Sequence, residues 1–139
     1  MRILGLDLGE RRIGVALSDP LGLTAQPLTV LERRNPTADL QTLCGLVAKH
    51  GVERVVLGLP LSLRGTRGPA AQRAEDFGRR LEAVARIPVH FMDERLTTVQ
   101  GQRVLREMAT APRKRKQVID RVAAQLILQQ YLEMEGHGP

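Results

Sequence analysis

The first eighteen residues constrain the fold most strongly. They contain two apolar runs, residues 2–8 and 12–18, with only residues 9–11 between them. Two such runs joined by a tight turn at Glu10-Arg11 predict a β-hairpin. The first run, "ILGLDLG", is apolar at nearly every position, which is typical of a central strand covered on both faces. It nevertheless contains Asp7, and a carboxylate in that setting requires a partner, hydrogen bonds or a bound cation.

Beyond the hairpin, the pattern changes from adjacent strands to alternating helices and strands. A third strand is predicted over 26–32, and Asn35 or Thr37 is suited to begin the helix that follows. The later elements are predicted as helix 38–50, strand 53–58, helix 69–86, strand 88–92, helix 97–108 and helix 117–134. This order predicts an α/β fold with a mixed five-stranded sheet, three antiparallel strands and then two parallel ones, flanked by helices.

Length and composition indicate one globular unit. The 139 residues, 42% hydrophobic and 26% charged, suit a single domain over 1–135, followed by a disordered tail at 136–139. No apolar run is long enough to cross a membrane, and the first residues do not resemble a signal peptide, so we expect a cytoplasmic protein. The single cysteine, Cys44, cannot form an internal disulfide. It lies in a predicted helix, and its side chain is expected to be buried.

The charge indicates a polyanionic partner. The net charge is +6 and the pI about 10.6, which favours nucleic acid, although a solubilising surface is an alternative. With aromatic residues at only 2%, a base-stacking platform is not expected. The cations fall in three predicted loops, which suits contacts with phosphates. These cations are Arg11 and Arg12, then Arg64 and Arg67, and then Arg113, Lys114, Arg115 and Lys116.

A second carboxylate, Asp120, lies where an apolar residue is expected. At 100° per residue, the last predicted helix has an apolar arc that includes Ala124, Ile127 and Tyr131, and Asp120 falls inside that arc. An acid near a helix start also interacts favourably with the helix dipole. That alternative explains an acid in the first turn but does not explain one that faces the core.

The third candidate is the pair Asp93-Glu94, directly after the strand "PVHFM". Side chains alternate along a strand, so only one of the two can face a site at its end. Taken alone, such a pair also suits the start of a helix. Together with Asp7 and Asp120, however, the pair would gather carboxylates at one end of the sheet, where they repel unless a cation lies between them. Oxygen ligands without a Cys or His cluster favour Mg²⁺ or Mn²⁺.

Four motifs carry a family resemblance. The segments "GLDLGERRIGVALSD", "VVLGLP", "DERLTT" and "IDRVAAQLILQQYL" resemble the YqgF/RuvX family of ribonuclease-H-like nucleases, in order over roughly residues 3 to 132. The resemblance implies a ribonuclease-H-like fold and a two-metal-ion nuclease with Asp7, Glu94 and Asp120 as catalytic metal ligands. Arg95, in the "DER" motif, joins the expected nucleic-acid contacts. The family resemblance also implies a role in maturing the 5′ end of pre-16S rRNA. Proteins of this family have, in addition, been described as Holliday-junction resolvases.

Other functions stay open at this point. "DLGERRIGVA" also resembles a phosphate loop of actin-like ATPases and sugar kinases, but those enzymes need two lobes and this chain is long enough for one. A non-catalytic RNA-binding module on the ribosome would keep the basic residues without needing three acids. Arg64 stands where the family pattern suggests an acidic or polar residue. RNA is the favoured substrate and structured DNA the alternative, and junction cleavage would require a symmetric homodimer.

Overall fold

The computed structural model describes residues 1–62, 64–96 and 113–135, excluding the side chains of 113–120. Its centre is one five-stranded sheet in the order β3-β2-β1-β4-β5. The first three strands pair antiparallel, and β4 and β5 are each parallel to the strand beside them. The strands are β1 Arg2–Leu8, β2 Arg12–Ser18, β3 Ala25–Glu32, β4 Val52–Leu59 and β5 Val89–Asp93. The predicted α/β sheet is therefore confirmed.

Local sequence explains where the helices begin and end. The side chain of Asn35 accepts a hydrogen bond of 2.9 Å from the Ala38 amide, and Gly51 ends the same helix in the left-handed region at φ 63°. The next helix has a proline in its first turn, where the missing N–H costs no hydrogen bond. The helices are α1 Pro36–His50, α2 Pro69–Ala85 and α3 Arg113–Met134.

The sheet is covered on both faces. The helices α1 and α2 pack on one face against leucines such as Leu4, Leu6 and Leu57. The helix α3 packs on the other face, over residues such as Ile3 and Val56. Because side chains alternate along β1, Asp7 lies on the same face as Ile3 and Gly5, which is the face covered by α3.

The prediction for the basic run was wrong in one respect. It placed Arg113 to Lys116 in a loop and began the last helix at 117, whereas α3 begins at Arg113. Lysine, arginine and glutamine all favour the helix, so the charged run continues it rather than interrupting it. The predicted helix 97–108 and the tail 136–139 lie outside the described residues. In the described part of the chain, no helix has the length and apolar character needed to cross a membrane.

Candidate active site

Asp7 lies near the carboxyl end of the central strand and is almost completely buried, with 1% of its surface exposed. Its partner on β2 is Gly14. On the other side, Leu6 pairs with Leu57, so the parallel register, continued by one residue, sets Asp7 beside Gly58. Neighbouring strands lie about 4.8 Å apart. Asp7 is therefore flanked on its two neighbouring strands by glycines, Gly14 and Gly58.

Glu94 supplies a second buried carboxylate at the same place. It begins a short 3-10 turn, Glu94–Leu96, that follows β5 directly, and its side chain is fully buried. A Cβ atom built on Gly58 would lie 2.6 Å from Glu94 Oε1. The Glu94 carboxylate thus occupies the space over Gly58, the residue beside Asp7. Because Gly58 is beside Asp7 and Glu94 lies over Gly58, the two carboxylates occupy adjacent positions on the α3 face.

Asp93, the neighbouring acid, has different surroundings. Its carboxylate accepts hydrogen bonds from the Arg95 amide at 2.9 Å and from the Arg95 guanidinium at 2.6 Å (Nη2) and 3.0 Å (Nε). The side-chain hydrogen bond from Arg95 lowers the pKa of Asp93 most, and burial opposes that effect. Alternation therefore separates the pair as expected: Glu94 is directed into the protein, and Asp93 is partly exposed and paired with Arg95.

Asp120 belongs to the helix that covers this face. Its side chain lies outside the described residues, but the position of its turn follows from the contacts of α3. A Cβ atom on Gly5 would lie 2.7 Å from Leu128 Cβ and 3.1 Å from the Ala124 carbonyl, so α3 crosses β1 at Gly5 with the turn between these two residues. At the other end of α3, Tyr131 reaches Arg54 near the start of β4, so the helix runs opposite to β1.

The level of Asp120 along the sheet follows from this direction. Four residues of helix rise about 6 Å, and two residues of strand span about 6.6 Å. Asp120 precedes Ala124 by four residues, and Asp7 follows Gly5 by two. The backbones of both residues therefore lie beyond the crossing, toward the carboxyl end of β1. No group of three metal-ligating side chains is found among the described residues, a set that excludes the side chain of Asp120.

The donor set fits a divalent cation of the magnesium type. Two carboxylates, both at most 1% exposed, lie close together on one face. Ionised carboxylates in such a place repel each other unless positive charge balances them. Oxygen donors from carboxylates suit Mg²⁺ or Mn²⁺ better than zinc. The two described carboxylates are therefore compatible with the metals that the sequence predicts.

The predicted basic contacts lie in several places. Arg11 is exposed at the β1–β2 turn, and Arg12 is half-buried at the start of β2. Arg64 and Arg67 are exposed in the loop between β4 and α2, where Arg67 also forms a 2.7 Å ion pair with Glu75.

The basic run occupies the first turn of α3, within one to two turns of Asp120. Cations at a helix N-terminus are unfavourable for the helix dipole by a few tenths of a kcal/mol to about 1 kcal/mol each. An anion bound there would relieve this cost.

Sequence reasoning missed a cluster that supports the β1–β2 turn. Arg33 donates from Nη1 to the Gly9 carbonyl at 2.9 Å, and its amide donates to the Arg11 carbonyl at 2.8 Å. Asp39, which is buried, accepts from Arg33 Nε at 3.5 Å. An acid in the first turn of a helix resembles an ordinary dipole partner, so the sequence carried no signal for this contact. The cluster fixes the turn that follows Asp7.

The glycines beside Asp7 were also missed as parts of the site. A signal was present, because a glycine inside an apolar strand often marks a close approach by another group. Gly58 falls inside the strand "VVLGLP", and the approaching group is the Glu94 carboxylate, with Ile127 Cδ1 equally close at 2.6 Å. The side chain at position 94 can therefore lie flat on the sheet only because position 58 has no Cβ.

The fold around this site is also found in solved structures of other proteins. Over 97% of this chain, it is similar to T. thermophilus RuvC in complex with Holliday junction substrate, with a TM-score of 0.60, 16% identity and 96% of that chain covered. The fowlpox virus resolvase, in complex with Holliday junction DNA, gives a TM-score of 0.58 at 12% identity, with 97% of this chain and 99% of that chain covered. These likenesses show a RuvC-like, ribonuclease-H-like fold.

The family follows from sequence. Residues 1–134 match the profile of RuvX, described as "Holliday junction resolvase". A protein of Moorella thermoacetica named "Putative pre-16S rRNA nuclease" is 56% identical over 138 residues, which is 99% of each chain. The chain belongs to the RuvX family and is a nuclease. The resemblance stated from the four motifs is confirmed.

Proposed function

We propose that the protein is a metal-dependent nuclease that hydrolyses phosphodiester bonds, with Asp7, Glu94 and Asp120 as its metal ligands and catalytic residues. One observation carries the proposal. Asp7 and Glu94 are buried side by side at Gly58, on the face that α3 covers, in a fold shared with nucleases. Carboxylates arranged only for stability would not be expected to share one buried face.

The residues divide the chemical work among them. When bound, Mg²⁺ or Mn²⁺ stabilises the attacking and leaving oxygens of phosphodiester hydrolysis. Asp7 would hold its ligand oxygens rigidly, because it stands on the central strand. Glu94 would bring a second carboxylate from β5, and Asp120 a third from α3. Gly58 has no side chain, and this leaves the space that the Glu94 carboxylate occupies beside Asp7.

A pre-16S rRNA precursor is the proposed substrate, with its 5′ end as the site of processing. The support is the name of the Moorella thermoacetica relative, together with the +6 charge of this chain. This role implies a cytoplasmic protein that takes part in ribosome biogenesis. The basic side chains would bind phosphates with little base specificity. They are Arg11, Arg12, Arg64, Arg67, Arg113, Lys114, Arg115 and Lys116, whereas Arg95 is already paired with Asp93.

Cleavage of a Holliday junction is the second candidate. It is favoured by the description of the matching family, and the two similar solved structures contain junction DNA. Such a reaction would need two active sites in a symmetric homodimer, which stays a prediction. A non-catalytic RNA-binding role is the least favoured reading, because it gives no reason for two adjacent buried carboxylates.

One assay tests these proposals together. Purified protein would be offered pre-16S rRNA, generic single-stranded RNA and a four-way DNA junction, each with Mg²⁺, with Mn²⁺ or with a chelator. We expect metal-dependent cleavage, with the rRNA precursor preferred. Asp7→Asn, Glu94→Gln and Asp120→Asn should each lower the rate by more than the roughly 10- to 100-fold that follows loss of groups that only support metal ligands.

Asp93→Asn is the matched control for Glu94→Gln. It changes the neighbouring acid, which pairs with Arg95 instead of facing Gly58. Titration calorimetry should show weakened Mn²⁺ binding in Glu94→Gln and wild-type binding in Asp93→Asn. The reverse result would transfer the ligand role to Asp93. If no substrate is cleaved and no metal is bound, the nuclease proposal for these residues fails.

A further inference from the structure

The ion pair between Asp93 and Arg95 is unusually well formed for a partly exposed position. Arg95 donates to both carboxylate oxygens, from Nη2 to Oδ2 at 2.6 Å and from Nε to Oδ1 at 3.1 Å, and its amide also donates to Oδ1. Two parallel N–H donors of one guanidinium matched to one carboxylate fix the plane and direction of the arginine. The Arg95 side chain is thus oriented by the residue two positions before it.

The oriented guanidinium lies against the β4–α2 loop, which comprises residues 60–68, with residue 63 outside the described part of the chain. A Cβ atom on Gly65 would lie 3.0 Å from Arg95 Nη1 and 3.4 Å from both Cζ and Nη2. Gly65 also has φ +81°, a conformation that side chains rarely adopt. Two independent constraints therefore favour glycine at this position: the backbone conformation and the approach of Arg95.

The loop segment that Arg95 contacts is a closed turn. The Gly65 amide donates to the Ser62 carbonyl at 2.8 Å, and the Ser62 amide donates to the Thr66 carbonyl at 3.1 Å. The Thr66 amide donates to Ser62 Oγ at 2.9 Å. Because the turn is internally bonded, a contact at Gly65 positions it as a unit. Arg64 lies at its tip and is exposed.

We propose that Arg95, oriented by Asp93, is a positioning residue that holds the β4–α2 loop beside the active site, so that the loop can contact the phosphates of the bound nucleic-acid strand. This rests on the proposed nuclease function. The consecutive residues Asp93, Glu94 and Arg95 then have two tasks. Glu94 faces the metals, and its two neighbours fix the loop.

The chemistry of arginine is essential to this role. A lysine ammonium carries the same charge but lacks the planar fork that matches a carboxylate at two points. Arg95→Lys should therefore fail to restore the contact, even though it preserves the charge. A role in which Arg95 only supplied positive charge to the substrate predicts the opposite, namely near wild-type behaviour of Arg95→Lys.

The experiment compares Arg95→Lys, Arg95→Ala and Asp93→Asn with the control Arg80→Ala, which removes one exposed cation from α2. In the three variants of Arg95 and Asp93, we expect KM for the RNA substrate to rise about 10- to 100-fold, the range for groups that support a site. Their kcat should change less, and Mn²⁺ affinity should stay at the wild-type value. Arg80→Ala should match the wild type in all three quantities.

Limited trypsin digestion gives a readout that does not depend on nuclease activity. Cleavage after Arg64 and Arg67, followed by fragment mass, should be faster in the three variants than in the wild type and in Arg80→Ala. Wild-type KM and wild-type digestion in Arg95→Ala would overturn the proposal, as would an Arg95→Lys variant that behaves like the wild type. If no substrate is cleaved by the wild type, the nuclease proposal fails separately, and the digestion alone still decides whether Arg95 holds the loop.

Discussion

The two faces of the sheet are built from different side chains. The face under α1 and α2 is a continuous apolar layer of large residues, among them Leu4, Leu6 and Leu57, all fully buried. The face under α3 contains small residues where helix and sheet cross, including Gly5, Ala16 and Ala124. Among the described residues, two buried carboxylates lie on the second face, Asp7 and Glu94, whereas the buried Asp39 belongs to α1 and pairs with Arg33.

The difference shows how one strand can serve stability and chemistry at once. Alternation along β1 sends Leu6 to the apolar face and Asp7 to the other face, so adjacent residues contribute to separate layers. The leucines supply burial, at roughly 25 cal/mol per Å² of apolar surface. The small residues let α3 lie close to the sheet, and the direction of α3, opposite to β1, places Asp120 toward the end of β1 that carries Asp7.

The largest expected effect comes from adding one methyl group at Gly58. Its Cβ would lie 2.6 Å from Glu94 Oε1, so the carboxylate must move. A displacement of about 1 Å at a catalytic group can lower the rate about 100-fold. We therefore expect Gly58→Ala to lose about two orders of magnitude in kcat while it remains folded, as measured by cleavage rate and circular dichroism.

Gly78→Ala is the matched control on the apolar face. Its Cβ would lie 2.7 Å from Phe91 Cζ, an equally close approach. Overpacking of this kind costs about 1–3 kcal/mol of stability, partly offset because alanine is the better helix former. The activity per folded molecule should be unchanged. Equal losses of kcat in Gly58→Ala and Gly78→Ala would mean that the two faces of the sheet do not differ in their contribution to catalysis.

The next prediction compares Leu6→Ala with Asp7→Asn, two substitutions at adjacent residues, by their free energies of unfolding. The expected effect is smaller than that of Gly58→Ala on kcat. Leu6→Ala removes a fully buried side chain from the apolar face and should lower the free energy of unfolding by about 2–5 kcal/mol. Asp7→Asn should leave it unchanged or raise it in metal-free protein, because it removes repulsion between two buried carboxylates. Urea unfolding in the presence of a chelator measures the free energy of unfolding of both variants. A loss in Asp7→Asn as large as that in Leu6→Ala would make Asp7 a structural residue.

The smallest effect concerns Glu82, which links α2 to β5. It accepts a hydrogen bond of 2.9 Å from the Val89 amide, and this bond is the main cause that lowers the pKa of Glu82 below its ordinary value of 4.5. The contribution of Glu82 to stability is therefore present above pH 4.5 and lost as the pH falls through the folded-state pKa. Wild type should be more stable than Glu82→Gln near neutral pH, and the difference should shrink in acid. A difference that is constant with pH in urea unfolding would contradict this assignment.

Much of the fold could be predicted from the sequence because its signals are local. Short apolar runs and the candidate cap Asn35 predicted the strands and the first two helices within a few residues. The start of α3 could not be predicted in this way, because a run of cations is compatible with a loop and with a helix. The unusual position of Asp7 in an apolar strand was visible, and it led to the candidate site.

The sequence by itself determined the order of elements, the five-stranded mixed sheet, the family and the misfit of Asp7 among apolar neighbours, since each depends on residue type and spacing along the chain. Only the tertiary structure decided that Glu94 lies over Gly58 beside Asp7, that Arg95 reaches Gly65, and that Arg33 fixes the turn after β1. These contacts join residues far apart in the chain. They depend on which strands are neighbours and on which face each side chain falls, and a linear pattern does not specify the distances between those side chains.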